Sequence, residues 1–183
     1  LDGMKNVSTY VDTESILAQV QDTQFKKCFD TWFEQLWNDK RSKGGNKLRT
    51  YRSFKFDIKT EFYVSCNMPY KYRKAMAAFR CGVAPLKIET GRYYNIPLNE
   101  RLCELCNTGN IEDEKHALLE CPAFSELRFD LLCYLEYIFP DFPEQNDCDK
   151  LKLILSNEKC VYRAAKTCYQ ILDLRRRLLC DKF

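Results

Sequence analysis

The sequence predicts a mainly α-helical domain with a small zinc knuckle, C-x2-C-x9-H-x4-C, embedded in it. Apolar residues recur at i, i+3, i+4 and i+7 through most of the chain, the spacing of one helical face. Glycine and proline number six each, too few for an architecture of many strands and tight turns. One histidine, the only one present, stands between cysteines at metal-ligand spacing.

Residues 1–12 show little periodicity and read as a tail or linker. Thr13–Glu14–Ser15 leads into a short amphipathic helix with Ile16, Leu17 and Val20 as its apolar stripe. A second helix follows, in which Phe25, Cys28, Phe29, Trp32, Phe33, Leu36 and Trp37 fall at helical spacing. It ends before the polar stretch 41–46, where Gly44 and Gly45 act as breakers. From Lys47 to Ile58 the pattern stays helical and turns basic, with a helix predicted around 57–66. Another starts after Pro69, whose fixed φ suits a first helical position, and Cys81–Gly82 closes it. Leu86–Lys87–Ile88–Glu89 with Thr90–Gly91–Arg92 reads as a short extended or turn segment. Pro122 opens a long amphipathic helix containing Phe124, Leu127, Leu131, Leu132, Leu135 and Ile138, which Pro140 and Pro143 end. Helices near 151–155 and over 158–179 complete the chain. The predicted organisation is a basic, aromatic-rich helical region over 13–98, the zinc knuckle over 99–128, and C-terminal helices over 129–183 packing with the rest as one domain.

With 45% hydrophobic and 30% charged residues the chain has the composition of a folded globular domain rather than a disordered one. No stretch reaches the roughly 18 apolar residues of a membrane span; the run from Leu131 to Phe139 is broken by Glu136. The chain starts at Leu1 and reads as an excised fragment without a visible signal peptide. Eleven cysteines, mostly single within helical patterns, read as buried thiols of a reducing compartment, and hence of the nucleus or cytoplasm.

One cysteine group breaks that scatter. Cys103 and Cys106 can turn both thiolates toward one ion from a tight turn, and His116 and Cys121 complete a four-ligand set. Asn107, Gly109 and Asn110 supply turn chemistry between the halves. Four protein ligands fill a tetrahedron, so the zinc is expected to be structural. A redox role for the C-x-x-C lacks a surrounding βαβ pattern. Glu112–Asp113–Glu114 could suggest acid–base chemistry, but reads better as the acidic start of the helix that carries His116. No phosphate loop, nucleophile elbow or dinucleotide fingerprint occurs, and no catalytic residues or small-molecule substrate are expected.

Charge is segregated along the chain. Residues 40–92 carry fourteen basic and three acidic groups, whereas residues 93–158 carry five basic and fourteen acidic. The basic segment could pair internally with the acidic one, or form a phosphate-binding face. Interleaved aromatics such as Tyr51, Tyr70 and Tyr72 favour the second, because rings can stack on bases while cations hold a backbone. The candidate contacts are Lys47, Arg49, Arg52, Lys55, Lys71, Arg73, Lys74, Arg80 and Arg92, with Arg175–Arg176–Arg177 as a second basic spot.

The words Arg101–Leu102–Cys103–Glu104–Leu105–Cys106 and Ile111–Glu112–Asp113–Glu114–Lys115–His116–Ala117–Leu118–Leu119–Glu120–Cys121–Pro122, then Leu127–Arg128, resemble a known segment. It is the C-terminal cysteine/histidine region of non-LTR retrotransposon polyproteins, downstream of the reverse transcriptase. Lys47–Leu48–Arg49–Thr50–Tyr51, Phe54–Lys55 and Leu86–Lys87–Ile88–Glu89–Thr90–Gly91–Arg92 extend the resemblance, which spans roughly 25–135 and is most specific over 86–128. It implies a zinc-stabilised module that grips RNA or DNA beside a reverse transcriptase core. No polymerase or endonuclease motif is present, so the expected role is non-catalytic: a piece of such a polypeptide, or a domesticated derivative. The alternative is a protein-interaction module, for which the apolar faces of Phe25–Trp37 and 158–179 are the motive.

Overall fold

The computed structural model describes residues 13–38 and 48–180. Among them no β-strand forms, and the mainly helical class predicted from periodicity holds. The chain divides into two compact units, Leu1–Asp39 and Lys40–Phe183.

The described part of the first unit is α1 (Thr13–Asn38), 26 residues of unbroken helix where the sequence suggested two. Nothing between the two apolar stripes can break a helix: Thr23 keeps its backbone helical and its hydroxyl donates to the Gln19 carbonyl at 2.8 Å. Leu17 and Phe25 remain 60% and 56% exposed.

The second unit is organised around α7 (Val161–Cys180). Ala164, Ala165, Cys168 and Ile171 form its buried stripe, and the two alanines let neighbouring backbones come close. α3 (Tyr70–Cys81) runs along α7 over its length, while α5 (Ser125–Ile138) and α6 (Asp147–Ser156) pack on it from other sides. Met76, Phe79, Leu118, Leu131, Leu135 and Ile154 fill the space between them. α3 ends as its sequence requires, on Gly82 at φ 67, a left-handed cap that receives little penalty without a Cβ. No described helix is long and apolar enough to cross a membrane.

Further local expectations fail, beginning with the helical pattern read up to Ile58, of which the described residues keep only the turn Tyr51–Ser53. The helix expected over 57–66 shrinks to α2 (Phe62–Ser65). Lys55 is 6% exposed, and the chain after it loops so that the Lys59 carbonyl accepts from its ammonium at 2.8 Å while Glu61 pairs with it at 2.5 Å. Satisfying a buried ammonium outweighs the local helical pattern. The segment read as extended or turn around Leu86–Arg92 is instead helix α4 (Lys87–Tyr93). Gly91 is not a breaker there. A Cβ at Gly91 would come within 2.8 Å of Arg101 Cγ, so glycine admits a close approach. Arg101 uses that space to donate to the Ile88 and Ile96 carbonyls, each at 2.9 Å.

The eleven cysteines are all free thiols. Cys160 and Cys168 are buried, and burial pushes the Cys160 thiol up to about 12 and Cys168 upward as well. Both behave as the small apolar core residues the sequence suggested, but the expectation fails for the other single cysteines: Cys28, Cys133, Cys148 and Cys180 are exposed, and Cys66 and Cys81 are only half-buried.

Candidate metal centre

The metal cluster begins with a minimal hairpin. Leu102 and Ile111 form an isolated antiparallel bridge, with Cys103 N–H donating to the Asn110 carbonyl at 2.9 Å and Glu112 N–H to the Arg101 carbonyl at 3.0 Å. Gly109 takes a φ of 72 between them, a left-handed conformation suited to glycine. Cys103 and Cys106 therefore sit on one arm of a loop whose far end leads directly to His116.

His116 and Cys121 are brought together by the backbone itself. In an α-helix five residues turn through about 500°, leaving the two side chains about 140° apart around the axis. Here His116–Glu120 forms a π-helical turn, and Cys121 N–H donates to the His116 carbonyl at 2.7 Å. The wider turn brings positions i and i+5 toward the same side, and such turns concentrate at functional sites. Asp113 secures the start, its Oδ1 accepting from His116 N–H at 2.8 Å.

The four ligand atoms of Cys103, Cys106, His116 and Cys121 all lie within 4.8 Å of one another. Cys103 Sγ is 3.9 Å from Cys121 Sγ, and Cys106 Sγ is 3.3 Å from His116 Nε2. Two thiolates about 2.3 Å from one zinc at the tetrahedral angle would lie about 3.8 Å apart, so the spacing fits such an ion. His116 directs Nε2 at the cluster while Nδ1 lies 3.2 Å from Glu120 Oε2. A carboxylate behind the distal ring nitrogen is the usual way to fix the tautomer of a ligating imidazole.

Electrostatics divide the thiols. Burial raises the Cys103 thiol, and raises Cys121 to about 12. Burial also opposes ionisation of Cys106, but hydrogen bonds from the Thr108 side chain and backbone, from Cys103 and from His116 outweigh it and bring it to about 6. Cys106 is thus ready to ligate as a thiolate, and an incoming cation would displace the protons of the other two. Three thiolates with one divalent ion leave a net negative charge. The buried Arg128 guanidinium, donating to the Cys121 carbonyl, lies where it offsets that charge.

The acidic trio between the ligands does more than open a helix. Only Asp113 caps the turn. Glu112 is fully buried and accepts two bonds from Arg175 of α7, at 2.6 and 2.7 Å, and a third from the Lys87 N–H of α4 at 2.7 Å. Glu114, also buried, pairs with Arg49 at 2.6 Å and accepts from the Thr50 hydroxyl. The metal loop is tied through consecutive carboxylates to the elements around it.

The predicted phosphate contacts divide in the same way. Lys47 lies outside the described residues. Arg49 faces inward to Glu114 and the Gly82 carbonyl. Lys55 pairs with Glu61, as does Arg80, which is 4% exposed and stacked on Phe54 and Tyr63. Arg73 donates to the Tyr63 and Cys66 carbonyls, and Arg92 pairs with Glu89. Arg52 is half-buried, whereas Lys71 and Lys74 are exposed on α3. The second basic spot splits too: Arg175 is the buried partner of Glu112, while Arg176 and Arg177 are exposed beside Asp173.

Sequence reading missed a groove of about 1040 Å3 between α3 and α7, whose lining includes Tyr70, Lys71, Lys74, Tyr169 and Arg176. Its signal was present in the spacing Tyr169, Asp173, Arg176, one helical stripe of a ring and charges. Comparison of the chain with protein-family models, with curated proteins and with solved structures finds no match.

Proposed function

We propose that this chain is a zinc-stabilised nucleic-acid-binding module, non-catalytic by itself, of the kind found downstream of a non-LTR retrotransposon reverse transcriptase. Zinc is the ion the donor set suits: three soft thiolates and one imidazole whose ligand atoms all lie within 4.8 Å of one another, four ligands that leave no position for substrate. The resemblance of residues 86–128 supplies the wider context, a partner reverse transcriptase core acting on RNA or DNA. The observation that carries the nucleic-acid reading is the gathering of exposed Lys71, Lys74 and Arg176 along one groove that also presents tyrosine rings. Most other described cations of the basic segment are spent on internal carboxylates and carbonyls, so among the described residues this groove is where a phosphate chain would meet charge.

Fluorescence anisotropy of the zinc-loaded protein with labelled RNA and DNA across a salt series tests the reading. With Lys71, Lys74 and Arg176 as contacts, the slope of log K against log salt should be about −2 to −3. Affinity that does not change with salt would refute it. A protein-interaction role is the second reading, and the exposed apolar residues of α1 favour it. The apolar face of α7, by contrast, is occupied by the core of its own unit.

A further inference from the structure

We infer that the α3–α7 groove selects single-stranded over duplex nucleic acid; this rests on the nucleic-acid reading above. The groove combines two kinds of residue. Its lining includes the apolar Ala78, Val83, Pro85 and Leu172, and the cations Lys71, Lys74 and Arg176, the last paired at 2.8 Å with Asp173, which also lines the groove. A duplex offers phosphates to the cations, but its bases are stacked and paired and cannot reach the apolar residues. An unpaired strand can turn its bases inward and its phosphates outward, satisfying both.

The rings are placed for that. Tyr70, at the start of α3, is 74% exposed and lines the groove, as does Tyr169 of α7. Tyr72 braces both α7 rings, with centroids 5.9 Å from Tyr162 and 5.4 Å from Tyr169. Lys71 Nζ lies 4.7 Å from the Tyr169 centroid, holding a cation beside a ring at the groove edge. On α7 the groove's ring and cation, Tyr169 and Arg176, are separated by seven helical steps, about 10 Å of helix. Among the exposed rings of the chain, Tyr70 is one that lines the groove.

The test is anisotropy of the zinc-loaded full chain with a labelled oligo-uridine strand, an oligo-thymidine strand and a blunt duplex of equal length. Variants are Tyr70→Ala, Tyr70→Phe and Lys71→Gln/Lys74→Gln, each checked for an unchanged melting temperature. The single strands should bind at least tenfold tighter than the duplex. Tyr70→Ala should weaken them about fivefold or more with the salt slope unchanged, and Tyr70→Phe should restore binding. The double lysine variant should instead make the slope shallower by about 1.4. Equal affinity for duplex and strand, or an inert Tyr70→Ala, overturns the groove assignment while the nucleic-acid reading stands. No binding of any probe at low salt overturns the reading itself, and self-association of the same samples on sedimentation would then give the groove to a second chain.

Discussion

Removing the metal should melt the whole second unit rather than the knuckle alone. A local view would confine the damage of Cys121→Ser or of a chelator to about residues 100–125. The contacts of that loop say otherwise. Ala117 and Leu118 are fully buried in the common core. Glu112 holds Arg175 on α7, and Glu114 holds Arg49. If the loop unfolds, Arg175 is left as an unpaired charge in a buried site, a loss of about 3–5 kcal/mol. Withdrawing a buried leucine such as Leu118 removes a further ~2–5 kcal/mol. The sum is comparable with the 5–15 kcal/mol that typically stabilises an entire domain, and zinc in small structural sites supplies ~10–16 kcal/mol.

The assay pairs a chelator titration with circular dichroism and hydrogen exchange, with zinc release followed by a colorimetric indicator. Helical signal and α3 and α7 amide protection should fall together as one equivalent of zinc is released, and zinc should restore both. Cys121→Ser should purify with less than stoichiometric zinc and the same loss. Full protection of α3 and α7 in a chelated sample that has lost only the 100–125 amides would refute the coupling. A Cys121→Ser variant with full zinc content would refute the ligand assignment itself.

Glu112→Gln should destabilise the protein by about 3–5 kcal/mol in denaturant melts, because it strands the Arg175 charge. Glu112→Met combined with Arg175→Met should recover much of that loss, though not the bond from Lys87 N–H. Stability should also fall in alkali through Cys160, whose thiol is raised from 9.0 to about 12 in the fold. The unfolded thiol ionises first, so the contribution is complete below pH 9.0 and lost as pH rises toward 12, at about 1.4 kcal/mol per pH unit. Comparing the pH dependence of Cys160→Ala with the parent isolates this slope, and identical slopes would exclude the thiol as its source.

The helices were legible because their cause is local. Pro69, Gly82 and Pro122 punctuate the chain as backbone sterics demand, and the apolar faces of α5 and α7 follow one period. The metal cluster was legible for a similar reason: ligand identity and spacing are written consecutively from Cys103 to Cys121. What could not be read locally depended on distant partners. Gly91 looks like a breaker until Arg101 lies against it, and residues 57–61 look helical until Lys55 must be satisfied. The π turn after Lys115 follows from no propensity; it joins ligands whose separation an α-helix would leave on different sides.

Charge is the clearest case of this non-local dependence. A segment with fourteen basic groups looks like a binding face when read along the chain. Folding removes Arg49, Lys55, Arg73 and Arg80 from that account, because each meets a carboxylate or carbonyl that is separated from it in sequence. The acidic trio undergoes the complementary change, from an exposed helix start to two buried anchors and a cap. Part of the charge along the sequence therefore serves assembly: Arg49, Lys87 and Arg175 pair with carboxylates of the metal loop, while Lys55, Arg80 and Arg92 pair within the basic segment itself. Lys71 and Lys74 on α3 join none of those pairings, and Arg176 on α7 is held only by its helical neighbour Asp173, so these are the cations whose substitution should alter binding without altering the fold.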